Sequence, residues 1–184
     1  MTRIRFMCIA AVAAFMQLPA LAGAATAEVI DANVDAALER FAKDIDGASG
    51  YLASAKGVLV FPKVIKAGLI IAGEFGEGAL RVNGKTVQYY NTAAGSLGLQ
   101  VGGQEKSIYL LFMTDEALEK FRNSSGWEAG VDGAVTLINA GAAGAVDTTQ
   151  SKAPILGFVT TNAGLMADIS LAGSKYNKID PKAE

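Results

Sequence analysis

The chain has 184 residues, with 16 basic and 18 acidic side chains, one cysteine and no histidine. The absence of histidine, with the one thiol at position 8, excludes a Ser-His-Asp triad, a Cys-His pair and the usual zinc or copper ligand sets. The acidic balance argues against nucleic acid as a partner, because neutralising phosphates takes clustered Lys and Arg.

Residues 1–24 read as a cleavable export signal. Arg3 and Arg5 form a short positive region, and Phe6–Leu18 is an apolar run of signal-peptide length. That run is shorter than the ~20 residues a bilayer span requires. Ala22-Gly23-Ala24 and Ala25-Thr26-Ala27 both fit small-x-small cleavage patterns, and the first is favoured. Cys8 lies too early and too deep in the apolar run to be a lipoprotein cysteine. The expected mature chain, 25–184, has neither Cys nor His and a net charge of about −4, since Arg3 and Arg5 leave with the signal. It is expected to be periplasmic or otherwise exported. Without disulfides it must rely on its own core, and its length suffices for a single domain.

Ile30, Val34, Leu38, Phe41 and Ile45 recur at steps of four and three, which predicts an amphipathic helix over Val29–Ile45. Its other faces are mainly acidic, unlike the basic faces of helices that lie on membranes. Asp44-Ile45-Asp46-Gly47 resembles the start of a calcium loop, but it lacks the third oxygen ligand and the closing Glu. It is read as a helix end, and neither a metal nor a cofactor is expected. Gly47–Gly50 ends the helix, and Tyr51–Ser54 leads into the first strand.

The stretch Ala55–Gly103 organises the rest: glycines are spaced between short aliphatic runs, a pattern of tightly turned strands. Gly57–Phe61 is an apolar strand that Pro62 ends or places at an edge. Lys63–Lys66 links it to a longer strand, Ala67–Phe75. Gly73–Gly78 lacks the closing Gly-Lys-Ser/Thr of a phosphate loop, and Glu74 and Glu77 would repel an anion there. The same two glutamates could be offered as a glycosidase pair, but no aromatic sugar platform adjoins them, and they are read as solvated strand-end charges. Asn83-Gly84 predicts a type I′ hairpin between Gly78–Val82 and Lys85–Asn91.

Ala94–Gly102 and Ser107–Met113 read as a second hairpin-like pair, the latter apolar on both faces and therefore central. Thr114 caps a short helix carrying Asp115 and Glu116 in its first turn. Trp127 is expected as a core or rim anchor. Glu128–Val146 predicts two strands separated near Asn139–Gly141, and Asp147–Pro154 a polar loop. Ile155–Thr161 and Leu165–Ala172 form a last hairpin, and Ser174–Glu184 is a polar tail. The predicted class is α+β: a strongly bent, mainly antiparallel sheet or barrel of about eight to ten strands, with the N-terminal helix and one inserted helix.

Several of these segments carry a family likeness. Ala55–Pro62, Lys66-Ala67-Gly68 and Gly76-Glu77-Gly78 resemble the opening of the SYLF lipid-binding domain, and Gly95–Gln104 resembles its central glycine and glutamine signature. Phe158–Gly173 resembles its closing strands, so the likeness spans about residues 36–173. The resemblance implies phospholipid binding without catalysis. Its eukaryotic relatives bind phosphoinositides and some engage actin, but an exported chain meets neither, and the acidic helix departs from their basic membrane-contact segment.

The expected function is therefore non-enzymatic phospholipid binding in the periplasm or cell envelope. Lys56, Lys63 and Lys66 are the candidate headgroup contacts, each worth ~1 kcal/mol against an anionic leaflet. Phe61, Leu69 and Ile71 are candidate apolar contacts. The alternative is an envelope structural or protein-interaction module that touches lipid only incidentally, and a carboxylate enzyme using Glu74 and Glu77 is a third reading.

Overall fold

A computed structural model describes residues 25–68, 71–97, 104–138, 153–162, 164–166 and 170–181. The expected export signal, the glycine-rich segment 98–103, the strand break at 139–141 and most of the 147–154 loop lie outside the described residues.

Among the described residues there are three helices and nine strands. Helix α1 (Ala27–Asp44) starts at Thr26, whose hydroxyl accepts from the Val29 amide. It buries Ile30, Val34, Ala37 and Phe41, the face its periodicity predicts. The turn after it is made by Gly47 at φ 78°, a left-handed conformation that glycine adopts without strain. It opens a second short helix, α2 (Ala48–Ser54), where a lead-in to the first strand was expected.

The strands are β1 (Gly57–Gly68), β2 (Ile71–Val82), β3 (Lys85–Leu97), β4 (Gln104–Phe112), β5 (Trp127–Glu128), β6 (Thr136–Leu137), β7 (Ile155–Thr161), β8 (Gly164–Leu165) and β9 (Lys175–Ile179). They form one sheet in the order β5-β9-β3-β2-β1-β4-β7-β6, with β8 on β7. All the pairings are antiparallel except β6 with β7. The sheet is a strongly curled half-barrel, so the α+β expectation holds in its open rather than its closed form.

Asn83 (φ 51°) and Gly84 (φ 75°) make the expected hairpin between β2 and β3. Four other expectations are corrected. β1 does not stop at Pro62: the register slips between Val60 and Lys63 against β2, a bulge that accommodates the proline, and the strand runs on to Gly68. Ala67–Phe75 is therefore not one strand: Ala67 and Gly68 end β1, and Ile71–Phe75 begin β2. Ala94–Gly102 does not pair with Ser107–Met113, because β2 and β1 lie between β3 and β4. Nor is Ser174–Glu184 simply a tail; its first half is β9, whose Tyr176 pairs with Thr92 and Trp127.

Where β4 runs from Ile108 to Phe112 the sheet is buried on both sides, which is why that stretch reads apolar at every position. On the outer face, α1 and α2 pack Phe41 and Tyr51 against Tyr109 and Phe158, with ring centroids 4.6–5.2 Å apart. On the inner face, helix α3 (Asp115–Asn123) delivers Leu118 and Phe121 to Tyr90, Phe112 and Trp127. Tyr176 then links Trp127 to Phe61. Each large apolar side chain buried this way contributes about 1.5–3 kcal/mol.

The Tyr90 hydroxyl is buried without a hydrogen-bond partner, and burial pushes its pKa up to about 12, with Arg122 partly opposing. The folded chain thus holds this proton more tightly than the unfolded chain does. Stability from Tyr90 is complete below about pH 10 and is lost as pH rises towards about 12. Melting temperatures between these limits should fall less steeply for Tyr90→Phe than for the parent; equal slopes would refute this account.

Candidate functional site

The bulge in β1 decides where the candidate lysines point. Side chains alternate across a sheet, so one extra residue reverses the faces of everything after it. Before the bulge, Leu59 and Phe61 enter the inner core; after it, Val64 does. Lys66 therefore faces inwards with Val64, and Lys63 faces outwards. Lys56, ahead of β1, lies about 30 Å of strand from Lys66. The three lysines form no common patch.

Each lysine also has a carboxylate partner. Lys56 lies 3.9 Å from Asp115, Lys63 lies 2.8 Å from Glu105, and Lys66 lies 3.8 Å from Glu74. The first two pairs are solvent-exposed on both sides, where such pairs are worth little. Phe61 is no surface contact: it is fully buried and its ring packs on Tyr176 at 5.5 Å. Leu69 and the Ile71 side chain lie outside the described residues.

The fold assembles two other constellations at this end of β1 and β2. On the inner face, Lys106 Nζ lies 2.6 Å from Glu74, so one carboxylate bridges Lys66 and Lys106. Only 9–17% of each of these three side chains is exposed. Beside them stand buried Thr92 and Tyr176, cross-strand partners on β3 and β9. Burial raises the Tyr176 pKa far above the usual phenol range, and the Glu74 charge adds to the rise.

On the outer face, Ile65 and Phe75 are cross-strand partners, and Ala93 pairs with Phe75 from the other side. Helix α1 covers the neighbouring part of β2, where the Ala25 amide donates to Glu77 and Asp31 reaches Arg81, Thr86 and Tyr89. It does not cover Ile65 or Phe75, which are 47% and 52% exposed. A polar cleft of about 650 Å³ adjoins this patch at Glu105, lined also by Arg40, Asp44, Ser107, Thr160 and Asn162. Among the described residues no helix is long and apolar enough to cross a membrane.

Glu74 and Glu77 fall on opposite faces of β2, so they cannot flank one glycosidic bond. Lys106, Ile65 and Phe75 were missed as site candidates. Their placement depends on the bulge and on the pairing of β4 with β1, and neither is a local property of the sequence. The one available hint was Pro62, a residue that enters a strand interior mainly at a bulge or an edge.

Residues 93–181 match the protein-family model described as "Ysc84: Las17-binding protein actin regulator". A search of curated proteins found no match for the chain. The matched span carries Lys106, Thr160 and Tyr176 but not Lys66, Glu74 or Phe75.

Removing the bridging carboxylate strands the buried Lys106 ammonium. Glu74→Gln should destabilise the protein by about 3 kcal/mol. Glu77→Gln, which keeps an amide oxygen to accept from the Ala25 nitrogen and loses only its charge at a partly buried site, should lose about 1 kcal/mol or less. Urea unfolding of both variants checks the order, and equal midpoints would contradict it.

Proposed function

With residues 93–181 belonging to the SYLF family, we propose that the chain is an exported, non-enzymatic protein that docks on phospholipid surfaces through the outer face of β1 and β2. The observation that carries this reading is the Ile65–Phe75 pair. Two large apolar side chains sit side by side and uncovered on a sheet whose other large residues are mostly buried. Each is only half exposed, so leaving them in water forgoes about 1 kcal/mol each, roughly half the value for full burial, which insertion among acyl chains recovers. Lys63 stands on the same face and supplies the headgroup contact, while Lys56 and Lys66 point elsewhere.

The test is co-sedimentation of residues 25–184 with neutral phosphatidylcholine vesicles and with vesicles containing phosphatidylglycerol. Ile65→Asp and Phe75→Asp should each weaken binding at least about tenfold. Lys63→Glu should reduce only the salt-sensitive part on anionic vesicles, and Lys56→Glu should leave binding unchanged. Undiminished binding by both Asp variants would sink the outer-face reading. The family model's description names a protein ligand, which supports the alternative of an envelope protein-interaction module. That alternative would appear as a partner captured in detergent and lost in Phe75→Asp, with no vesicle binding by the parent.

Export is part of the same proposal, and two contacts favour one cleavage site. Cleavage after Ala24 leaves Thr26 to cap α1 and sets the new Ala25 ammonium beside Glu77, where the Ala25 nitrogen lies 3.1 Å from the carboxylate. Cleavage after Ala27 would remove both contacts, and loss of the cap alone costs about 1 kcal/mol. N-terminal sequencing of the exported protein should begin at Ala25; a start at Glu28 would overturn this.

A further inference from the structure

Helix α1 crosses the outer face from β2, where the Ala25 nitrogen meets Glu77, to β7, where Phe41 stacks on Phe158. It ends at Asp44, and the cleft of about 650 Å³ lies between its last turns and the ends of β4 and β7. Ser107 and Thr160, cross-strand partners, line the cleft with Tyr109. Arg40 and Asp44 line its helix side, one turn apart. That spacing suits an ion pair, but among the described residues neither side chain has an ion-pair partner. A cation N-terminal to its anion is the weaker order for such a pair. Both charges nevertheless bear on one phenol. Burial raises the Tyr109 pKa; Thr160, Ser107 and the Arg40 charge oppose the rise, and Asp44 adds to it.

The two ends of the cleft differ. At one, α1 reinforces Asp44, because the last carbonyls of a helix carry partial negative charge. Lys43, also in the last turn, does not line the cleft. At the other end the cleft joins the apolar patch: Glu105 lines it and is the cross-strand partner of Ile65, whose other partner is Phe75. Lys63 neutralises Glu105 at 2.8 Å, so this entrance does not repel an anion.

We propose that the cleft holds a zwitterionic phosphoethanolamine group, its phosphate on Arg40 and its ammonium between Asp44 and the carboxyl end of α1. The assignment rests on outer-face docking to phospholipid and names the headgroup. Because α1 advances from β2 towards β7, a lipid whose acyl chains lie on Ile65 and Phe75 meets Arg40 before Asp44, as its phosphate precedes its amine. A headgroup with no cation would leave Asp44 unmatched beside a like charge. Two sources of the group suit the cleft, phosphatidylethanolamine and its water-soluble glycerol ester.

Residues 25–184 are titrated calorimetrically with dihexanoyl phosphatidylethanolamine and dihexanoyl phosphatidylglycerol, both as monomers, and with glycerophosphoethanolamine. Saturable binding of the phosphatidylethanolamine, about fivefold tighter than of the phosphatidylglycerol, is expected. Asp44→Asn should erase that preference by weakening the first, and Arg40→Gln should weaken both about fivefold. Both side chains are exposed, so neither change threatens the fold. Glycerophosphoethanolamine binding as tightly as the lipid assigns the cleft to the free ester, and weaker binding assigns it to the headgroup. Vesicles separate this site from the apolar patch. If outer-face docking fails, the parent does not sediment with vesicles; if the cleft alone fails, it sediments equally with phosphatidylcholine vesicles with and without phosphatidylethanolamine. No saturable binding of either zwitterionic probe, equal affinity for the two lipids, or a preference that survives Asp44→Asn would overturn the site.

Discussion

The arrangement turns on one irregularity, the bulge that carries Pro62 through the middle of β1. A proline cannot donate to a sheet ladder, so a strand containing one must end, lie at an edge, or bulge. β1 is flanked by β2 and β4 and runs past the proline, so only the bulge remains. Glycine on β2 makes it possible. A Cβ at Gly78 would come within 1.9 Å of the Val60 carbonyl oxygen, and one at Gly76 within 2.7 Å of the Lys63 oxygen. The closeness of the backbones there depends on the absence of side chains. Ser107 adds a tie, donating its hydroxyl to the Pro62 carbonyl at 2.7 Å, which satisfies an oxygen beside the irregular stretch.

From that single slip follows a division of labour between the two halves of β1 and β2. Ahead of the bulge, both faces bury apolar side chains, with Val58 and Val60 under the helices and Leu59 and Phe61 in the aromatic inner core. Beyond it the inner face turns ionic and the outer face turns apolar but uncovered. This inverts the usual order, in which charge meets water and hydrocarbon meets protein. The inversion is local. It is confined to the end of the strands that α1 leaves bare, and the rest of the molecule supplies the stability that tolerates it.

Local features were legible in the sequence, and pairings between distant strands were not. The apolar periodicity of α1, the Thr114 cap of α3, the Asn83-Gly84 hairpin and the two-faced apolarity of β4 are properties of a few consecutive residues. Each reappears in the fold. The pairing of β4 with β1 and β7, and the recruitment of Lys175–Ile179 as β9, join segments far apart in the chain. Polar alternation in Lys175-Tyr176-Asn177-Lys178 looks like a tail until Tyr176 is seen to fill the space between Phe61 and Trp127. The candidate lysines do not gather into one patch. Their closeness in sequence was real, but a cluster requires a shared face: strand alternation sets Lys63 and Lys66 on opposite faces, and Lys56 lies about 30 Å of strand from Lys66.

The same logic shows why the two constellations are coupled through the backbone although they face apart. Ile65 and Lys66 are neighbours on β1, as Glu74 and Phe75 are on β2, and these four residues form two consecutive rungs of one ladder. Any change that slid β1 by one residue against β2 would reverse the faces of β1 alone, driving Ile65 inwards and Lys66 outwards while Glu74 and Phe75 kept theirs. The Lys66–Glu74–Lys106 bridge resists that slip, because the Glu74 carboxylate meets Lys106 on β4 and Lys66 on β1 together only in the native register. The bridge adds little net energy by itself, since burying its charges offsets much of the attraction. What it contributes is register: an ion pair with one geometry, at the end of the sheet where hydrophobic packing no longer selects between alignments.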